Sequence, residues 1–227
     1  MNEIVKIRRA IISTYDKKNL LSFAENLVKQ NKDIEIYSSS GTALELQKSV
    51  LRNLKEISEY TGFPEMPSGL VKTLHPKIHA GILAEPGNEQ QSAYLQMHNI
   101  KEFDMVVVNL YPFSSASAKG TYEDARKNID IGGVSLIEAA SKNFLRVTVV
   151  VDPSDYDLIA SNLRKNNGAI DLKTRILLAK KALKYLADYL STISNYYSAV
   201  PDEKLQEFYG VKHGWEERLQ EGLHKNR

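Results

Sequence analysis

The chain has 227 residues, of which 42% are hydrophobic and 26% charged, an ordinary composition for a globular protein with one sizeable domain. Its formal net charge of +2 favours neither nucleic acid nor an acidic membrane surface as a partner, and the absence of cysteine excludes disulfides and thiolate metal sites. We find no signal-peptide run, membrane span or repeat, and we therefore expect a soluble, cytoplasmic protein.

Strand-like and helix-like segments alternate along the chain. The pattern predicts strands at 8–14, 33–42 (ending in a small-residue turn), 54–60, 103–111 and 146–151. It predicts helices at 19–30, 43–51, 88–100, 121–128, 129–143 (opened by a glycine turn), 154–167 and 172–194. The run "FDMVVVNLY" is the strongest strand signal, because continuous apolar residues are typical of a parallel strand covered on both faces.

This alternation predicts an α/β fold with a doubly wound, mostly parallel sheet. Residues 1–200 are expected to form the main domain, and residues 201–227 a short helical tail that is packed or frayed. Ligands of such sheets bind beyond the carboxyl ends of the strands. The turns of interest are therefore 13–18, 38–42, 109–113 and the loop at 58–73.

Two of these turns have the composition of an anion site. In "SSSGT", the small residues Ser39, Ser40 and Gly41 would let backbone N–H groups approach a phosphate, and Thr42 adds a hydroxyl. In "STYDK", Lys17 could reach the same anion. The alternative for both turns is ordinary helix capping.

The segment "SGLVKTLHPKIHAGIL" (68–83) has a pattern that suits neither a helix nor a strand. Lys72 and Thr73 offer a cation and a hydroxyl for a phosphate or for proton transfer, although an exposed loop lysine is the simpler interpretation. His75 and His79 have the i, i+4 spacing of a helical metal pair. Pro76 lies between them and no third ligand is evident nearby, so packed or hydrogen-bonded histidines are preferred.

Two further motifs follow the strongest strand. "NLYPF" places the Asn109 amide and the Tyr111 phenol where a ligand would bind, unless Tyr111 only packs over the sheet edge. "IDIGG" places Asp130 before a helix start, where it can transfer protons or merely cap the helix. Lys142 lies near the other end of that helix, about 15 Å away, so only a folding back of the loop before the helix could bring it to Asp130.

Seven motifs in one order carry a family resemblance: "YTGFPEM", "VKTLHPKIHAGIL", "DMVVVNLYPF", "NIDIGG", "AASKN", "RVTVVVDPSDY" and "TISNYY". Together they resemble the IMP cyclohydrolase domain, the N-terminal half of the bifunctional enzyme that also carries AICAR formyltransferase. The resemblance covers about residues 8–198. It implies a methylglyoxal-synthase-like fold and a monofunctional cyclohydrolase, because too few residues follow for the formyltransferase half.

The resemblance also implies the reaction and its residues. The carboxamide nitrogen of formyl-AICAR attacks its own formyl carbon and water leaves, which yields IMP without a metal or organic cofactor, in an enzyme that tends to form homodimers. The implied catalytic residues are Lys72, Tyr111, Asp130 and Lys142. The implied substrate-binding residues are Lys17, Ser39, Ser40, Gly41, Thr42, Thr73, Asn109, Ile131 and Gly132.

This chain departs from the family pattern at three positions in the implied binding loops. Leu70 replaces an arginine, Ser40 a glycine and Tyr15 a serine. The loss of an arginine removes a bidentate contact that lysine does not fully replace. Two other functions are therefore considered beside the cyclohydrolase: a non-catalytic nucleotide-binding regulatory module of the same fold, and a methylglyoxal synthase, which the motifs disfavour.

Overall fold

The computed structural model describes residues 3–49, 51, 53–66 and 70–213, with side chains up to residue 210. The chain divides into two compact units. The first comprises residues 1–111 and 130–187, and the second comprises residues 112–129 and 188–227. The expected domain boundary near residue 200 stays a prediction, and residues 214–227 of the expected tail lie outside the described residues.

A five-stranded parallel sheet forms the centre of the first unit, in the order β4-β3-β2-β5-β6. Its strands are β2 (Arg9–Thr14), β3 (Glu35–Ser38), β4 (Leu54–Glu56), β5 (Met105–Asn109) and β6 (Thr148–Val150). All five residues of β5 are buried, as its apolar run predicts. The predicted α/β fold is therefore confirmed.

A second, two-stranded sheet is antiparallel and pairs β1 (Ile4–Lys6) with β7 (Ala169–Asp171). The sequence gives no sign of either strand. Each has only three residues, and so short a segment shows too little alternation to be recognised.

Helices connect the strands and extend into the second unit. They are α1 (Leu20–Gln30), α2 (Ser40–Leu46), α3 (Ile57–Thr61), α4 (Pro76–Leu83), α5 (Glu89–Met97), α6 (Phe113–Lys119), α7 (Tyr122–Lys127), α8 (Ile131–Lys142), α9 (Tyr156–Lys165), α10 (Leu172–Ser198) and α11 (Asp202–His213). Among the described residues, no helix is long and apolar enough to cross a membrane.

Helices cover both faces of the sheet. On one face, α1 and α9 pack together over the strands, and Phe23 of α1 stacks on Tyr156 of α9 with ring centroids 4.1 Å apart. On the other face, α8 packs against β5 and β6, and α4 packs against α8. This arrangement leaves the carboxyl edge of the sheet to the connecting turns.

Helix α4 corrects the prediction that residues 68–83 contain no regular element. Pro76 takes the first helical position, where its missing N–H and fixed φ are compatible with a helix. His75 is the N-cap, and its Nδ1 accepts a hydrogen bond from the Lys77 N–H at 3.1 Å. Ile78 and Ile82, spaced i, i+4, are both fully buried. The proline therefore starts a helix here and does not interrupt one.

Among the predicted boundaries that differ in the structure, two lie near the candidate site. Helix α2 begins at Ser40, inside the turn that we expected to precede it. The predicted strand at 54–60 is a strand only to Glu56, and α3 follows it directly. The consequence for the site is that Ser40, Gly41 and Thr42 belong to the first turn of a helix.

Candidate functional site

The order of the strands places a crevice between β2 and β5. The chain adds β3 and β4 on one side of β2, and then β5 and β6 on the other side. In doubly wound sheets, ligands bind at the carboxyl ends of the strands where the order reverses in this way. The turns that follow β2, β3 and β5 therefore line the candidate site.

Asn109, the last residue of β5, holds the turn after β2. Its Oδ1 accepts hydrogen bonds from the N–H groups of Tyr15 at 2.7 Å and Asp16 at 2.8 Å. Its Nδ2 donates to the carbonyl of Asp16 at 3.0 Å. The Asn109 side chain is buried, and both its oxygen and its nitrogen bond to backbone groups of this turn. It is therefore placed to position the turn, whereas the resemblance implied that it faces the substrate ring.

Thr42 joins the turns after β2 and β3. Its Oγ1 accepts a hydrogen bond from the Thr14 N–H at 3.1 Å and donates to the Thr14 carbonyl at 3.2 Å. Beside it, the hydroxyl groups of Ser13 and Ser39 lie 2.9 Å apart. Thr42 and Ser39 are both buried. These contacts fix the two turns to each other.

The outer part of the turn after β3 is more open. A Cβ added at Gly41 would meet no atom of the described chain within 4 Å, so a ligand can approach its backbone. Ser40 Oγ donates to Glu65 Oε1 at 2.6 Å, which places a carboxylate against the turn. Lys17 Nζ lies 3.3 Å from the Thr14 carbonyl and 3.4 Å from the Tyr15 carbonyl. The lysine side chain therefore lies against its own turn, and its contact with an anion stays a prediction.

Asp130 lies at the start of α8 and is the centre of the polar groups in the crevice. Its Oδ1 accepts the Gly133 N–H at 2.7 Å, and its carboxylate also accepts the Tyr111 N–H. Burial raises the pKa of Asp130 above its usual range, although these two N–H groups and the charge of Lys72 oppose the rise. The structure thus brings Asp130, Lys72 and the Tyr111 backbone together.

Thr73 lies directly against the first turn of α8. A Cβ added at Gly132 would come within 2.5 Å of Thr73 Oγ1, so only glycine allows this approach. Thr73 is buried, whereas Lys72 is half-buried. Val71 precedes them with φ 55°, a left-handed conformation that is unusual for a β-branched residue. Leu70, the residue in place of the family arginine, is exposed.

Lys142 lies away from this cluster. Helix α8 is continuous from Ile131 to Lys142, and its length separates the two ends by roughly 16 Å. Lys142 borders a cavity of about 490 Å³ between α4 and α8, together with His75 and His79. The loop before α8 does not fold back, because Asp130 is the N-cap of this same helix. Lys142 and Asp130 are therefore not brought together within the described chain.

The two histidines have separate environments. His75 caps α4, and burial followed by the charge of Lys77 lowers its pKa. His79 has a pKa lowered by burial, and its Nε2 is buried with no hydrogen-bond partner among the described residues. Within the same residues, no group of three or more His, Cys, Asp or Glu side chains could hold a metal ion.

Tyr185 of α10 is a site residue that the sequence analysis missed. Its hydroxyl oxygen accepts the Leu110 N–H at 3.0 Å, and Leu110 lies between Asn109 and Tyr111. Burial raises the pKa of Tyr185, and the charge of Asp130 contributes to the rise. No sequence signal could have revealed this contact, because Tyr185 lies 75 residues further along the chain.

Comparisons with known proteins agree with this fold. A family model described as MGS-like domain matches residues 19–135, slightly more than half of the chain. The chain belongs to the MGS-like domain family. A second model, described as AICARFT/IMPCHase bienzyme, matches residues 140–224 of this MGS-like chain. The two matches follow each other along the sequence, and the resemblance found from the motifs is confirmed.

The MGS-like chain is also similar to curated purine biosynthesis proteins. It is 45% identical over 201 residues to the bifunctional purine biosynthesis protein PurH of Neisseria gonorrhoeae strain NCCP11945, and equally to that of Neisseria meningitidis serogroup C. The match covers 88% of this chain but only 38% of the relative. Among solved structures, the crystal structure of ForH matches with a TM-score of 0.72 and 26% identity, covering 84% of this chain and 98% of that one.

Proposed function

We propose that the chain is an IMP cyclohydrolase, which closes formyl-AICAR to IMP in purine biosynthesis. The observation that carries the proposal is the convergence of Asp130, Lys72 and Tyr111 at the start of α8, in the crevice between β2 and β5. The similarity to PurH supports it, although the chain spans less than two-fifths of the length of those relatives.

The ring closure is intramolecular, so the enzyme has to catalyse proton transfers and does not have to bind a second reactant. The carboxamide nitrogen attacks the formyl carbon of the same molecule, so the substrate itself supplies most of the proximity. A C–N bond forms, the bond between the formyl carbon and its oxygen then breaks, and the oxygen leaves as water with one proton from the carboxamide nitrogen and one from the formamide nitrogen. A base near the attacking nitrogen and an acid near the formyl oxygen are sufficient catalysts.

The crevice offers groups for each of these tasks. Burial raises the pKa of Asp130, which makes its carboxylate a stronger base than that of an exposed aspartate. The Lys72 ammonium interacts with it and can stabilise the developing oxyanion, as can the Tyr111 hydroxyl. The N–H groups of Ile131 and Gly132 are in the first turn of α8, which has no preceding helical carbonyls to bond.

The remaining predicted residues suit the 5′-phosphate and the ribose. Gly41 exposes its backbone, and Lys17 supplies a cation at the neighbouring turn. Thr73, which is buried against Gly132 in the first turn of α8, is assigned to the ribose in this proposal. Asn109 and Thr42 act indirectly, because their polar atoms hold backbone groups of the turn after β2.

One observation favours the second function, a non-catalytic nucleotide-binding regulatory module. Glu65 bonds to Ser40 at the turn proposed for the phosphate, and a carboxylate there opposes the binding of an anion. A ligand with a phosphate would have to displace Glu65 or bind beside it. A regulatory site for a different phosphorylated ligand would show nucleotide binding without turnover.

The test is the ultraviolet absorbance change when the protein is mixed with formyl-AICAR, corrected for spontaneous ring closure. Enzyme-dependent formation of IMP, lost in Lys72→Ala, would support the cyclohydrolase. IMP binding without turnover would favour the regulatory module, and an absence of both would reject the proposal. The homodimer implied by the resemblance stays a prediction, which sedimentation equilibrium of the same sample tests.

The role of Lys142 also stays a prediction, and the same assay tests it. If Lys142→Ala loses as much turnover as Lys72→Ala, both lysines act in catalysis despite the length of α8. If turnover persists in Lys142→Ala alone, the lysine belongs only to the cavity between α4 and α8.

A further inference from the structure

Two exposed tyrosines lie side by side at the crevice. Tyr15 follows β2 and Tyr111 follows β5, and their ring centroids are 5.1 Å apart with an angle of 56° between the planes. Tyr15 is 50% exposed and Tyr111 is 47% exposed. The β2–β5 boundary is where a ligand of this fold binds, so the two rings border the candidate site.

Both tyrosines are attached to a fixed backbone. The Tyr15 N–H donates to Asn109 Oδ1 at 2.7 Å, and it lies 3.4 Å from the Asn109 carbonyl. The Tyr111 N–H donates to Asp130, which is itself fixed as the N-cap of α8. Because these main-chain positions are already held, little backbone order has to be gained when a ligand contacts the rings.

The charged groups beside the rings indicate the ligand's chemistry. Lys17 Nζ lies 3.4 Å from the Tyr15 carbonyl, and Asp130 with its neighbour Lys72 lies on the Tyr111 side. A ligand that fits this arrangement has a flat ring, polar groups on that ring and an anionic substituent. The tilt between the rings leaves an open angle, which suits a ring stacked on one tyrosine and touching the edge of the other.

We propose that Tyr15, together with Tyr111, forms an aromatic platform that binds the heterocyclic ring of the nucleotide. Tyr15 is thereby a specificity-determining residue that distinguishes a ring-bearing ligand from a sugar phosphate alone. The inference rests on the proposed function, because it names which part of that substrate the two tyrosines contact. Stacking of a base on an aromatic side chain contributes about 1–3 kcal/mol when measured by substitution.

The experiment compares two probes by isothermal titration calorimetry: IMP, which has the ring, and ribose 5-phosphate, which lacks it. Tyr15→Leu should weaken IMP binding about tenfold, equivalent to about 1.4 kcal/mol, and should leave ribose 5-phosphate binding within about twofold. Tyr15→Phe should keep the IMP affinity, because the stacking face remains.

Tyr94→Leu is the matched control. Tyr94 is 49% exposed on α5, and its ring contacts His98 with centroids 4.4 Å apart. Its removal should change the affinity for neither probe. Thermal unfolding of all three variants identifies any general loss of structure.

Three outcomes would overturn the platform. They are an unchanged IMP affinity in Tyr15→Leu, equal weakening of both probes, and an inability of the wild-type protein to bind IMP. The result is separable from the proposed function. A wild-type protein that binds IMP without turnover, and loses affinity in Tyr15→Leu, contradicts the cyclohydrolase but supports the platform. Turnover by the wild type, with an unchanged IMP affinity in Tyr15→Leu, supports the cyclohydrolase but contradicts the platform.

Discussion

At the amino edge of the five-stranded sheet, charged side chains form ion pairs with one another. At the carboxyl edge, polar side chains bond to the backbone, and the tyrosine rings and lysines beside them border the crevice. On the amino edge, Glu35 bonds to Arg9, Lys55 and Lys101 at 2.6–2.8 Å. Asp104 Oδ2 accepts the N–H groups of Arg8 at 2.8 Å and Arg9 at 3.0 Å.

At the carboxyl edge, uncharged side chains fix the turn after β2. Asn109 and Thr42 bond to backbone groups of the turn after β2, and the charged Lys17, Lys72 and Asp130 remain at the crevice. From this difference we expect the amino edge to serve stability and the carboxyl edge to serve ligand binding. Substitutions at the amino edge should change the free energy of unfolding, and those at the carboxyl edge should change activity.

The largest effect on stability is expected from Arg146→Met. The buried guanidinium donates to the carbonyls of Gly81, Ile82, Ala84 and Phe103 at 2.7–3.0 Å, and so joins the end of α4 to the residues before β5. Removing the guanidinium takes a buried charged donor from all four carbonyls, of which Gly81, Ile82 and Ala84 keep a second donor. The loss should lower the free energy of unfolding by about 3–5 kcal/mol, as measured by urea denaturation.

Arg164→Met, on the exposed side of α9, is the control for Arg146→Met and should stay within about 0.5 kcal/mol of the wild type. If both variants unfold at the same urea concentration as the wild type, the carbonyl cluster does not depend on the guanidinium.

At the carboxyl edge, Lys72→Met should lower kcat by about 10²–10⁴-fold, because it removes the cation beside Asp130. Thermal unfolding should change little, since Lys72 is only half-buried. Lys77→Met is a matched control from the same segment, where the ammonium lies 5.8 Å from the Tyr60 ring centroid. Equal kcat losses in the two variants would argue against a specific role for Lys72.

Asn109→Ala should have a mixed effect, because Asn109 belongs to a strand but positions a turn of the site. Removing the amide leaves the N–H groups of Tyr15 and Asp16 without that acceptor, which should cost about 2–3 kcal/mol of unfolding free energy. The KM should rise as the turn loosens. A variant that binds substrate normally would show that the turn is held by other contacts.

The smallest effect is expected from Glu35→Gln, about 1 kcal/mol near neutral pH, because its ion pairs are partly exposed. Burial alone would raise the pKa of Glu35, but the hydrogen bonds from Lys101, Lys55 and Arg9 outweigh it and lower the pKa to about 2. A lowered pKa stabilises the folded state above the unfolded value of 4.5, and this contribution disappears as the pH falls toward 2.

The pH dependence gives the test of the Glu35 network. The difference in unfolding free energy between the wild type and Glu35→Gln should shrink between pH 4.5 and the lowest pH at which the protein stays folded. A difference that stays constant over this range would mean that the charge of Glu35 contributes nothing.

Much of the sheet could be predicted because its central strands are buried on both faces. The run at β5 is apolar without interruption, and the alternation with α1 and α9 then specifies a doubly wound topology. The three-residue strands β1 and β7 could not be predicted, because their pairing depends on contacts between distant residues. Helix α4 was missed because Pro76 was interpreted as an interruption and not as a first helical residue.

The position of the candidate site could be predicted for a simple reason: parallel strands place their following turns at one edge. Which of its residues face a ligand and which hold the backbone could not be predicted. Whether Asn109 faces a ligand or holds a turn depends on which backbone groups lie opposite it, and those belong to residues more than 90 positions away. The same is true of Tyr185, which reaches the turn from α10.

The paired hydrogen bonds of Thr42 to Thr14 have a consequence for how the family can diversify. The geometry of the two turns depends on a hydroxyl that is buried, so neighbouring positions such as 15, which is exposed, and 40, which is half-buried, can change without moving the main chain. The buried contacts therefore keep the backbone of the two turns constant, while the neighbouring side chains determine which ligand binds. New recognition chemistry can then evolve one side chain at a time on an unchanged scaffold.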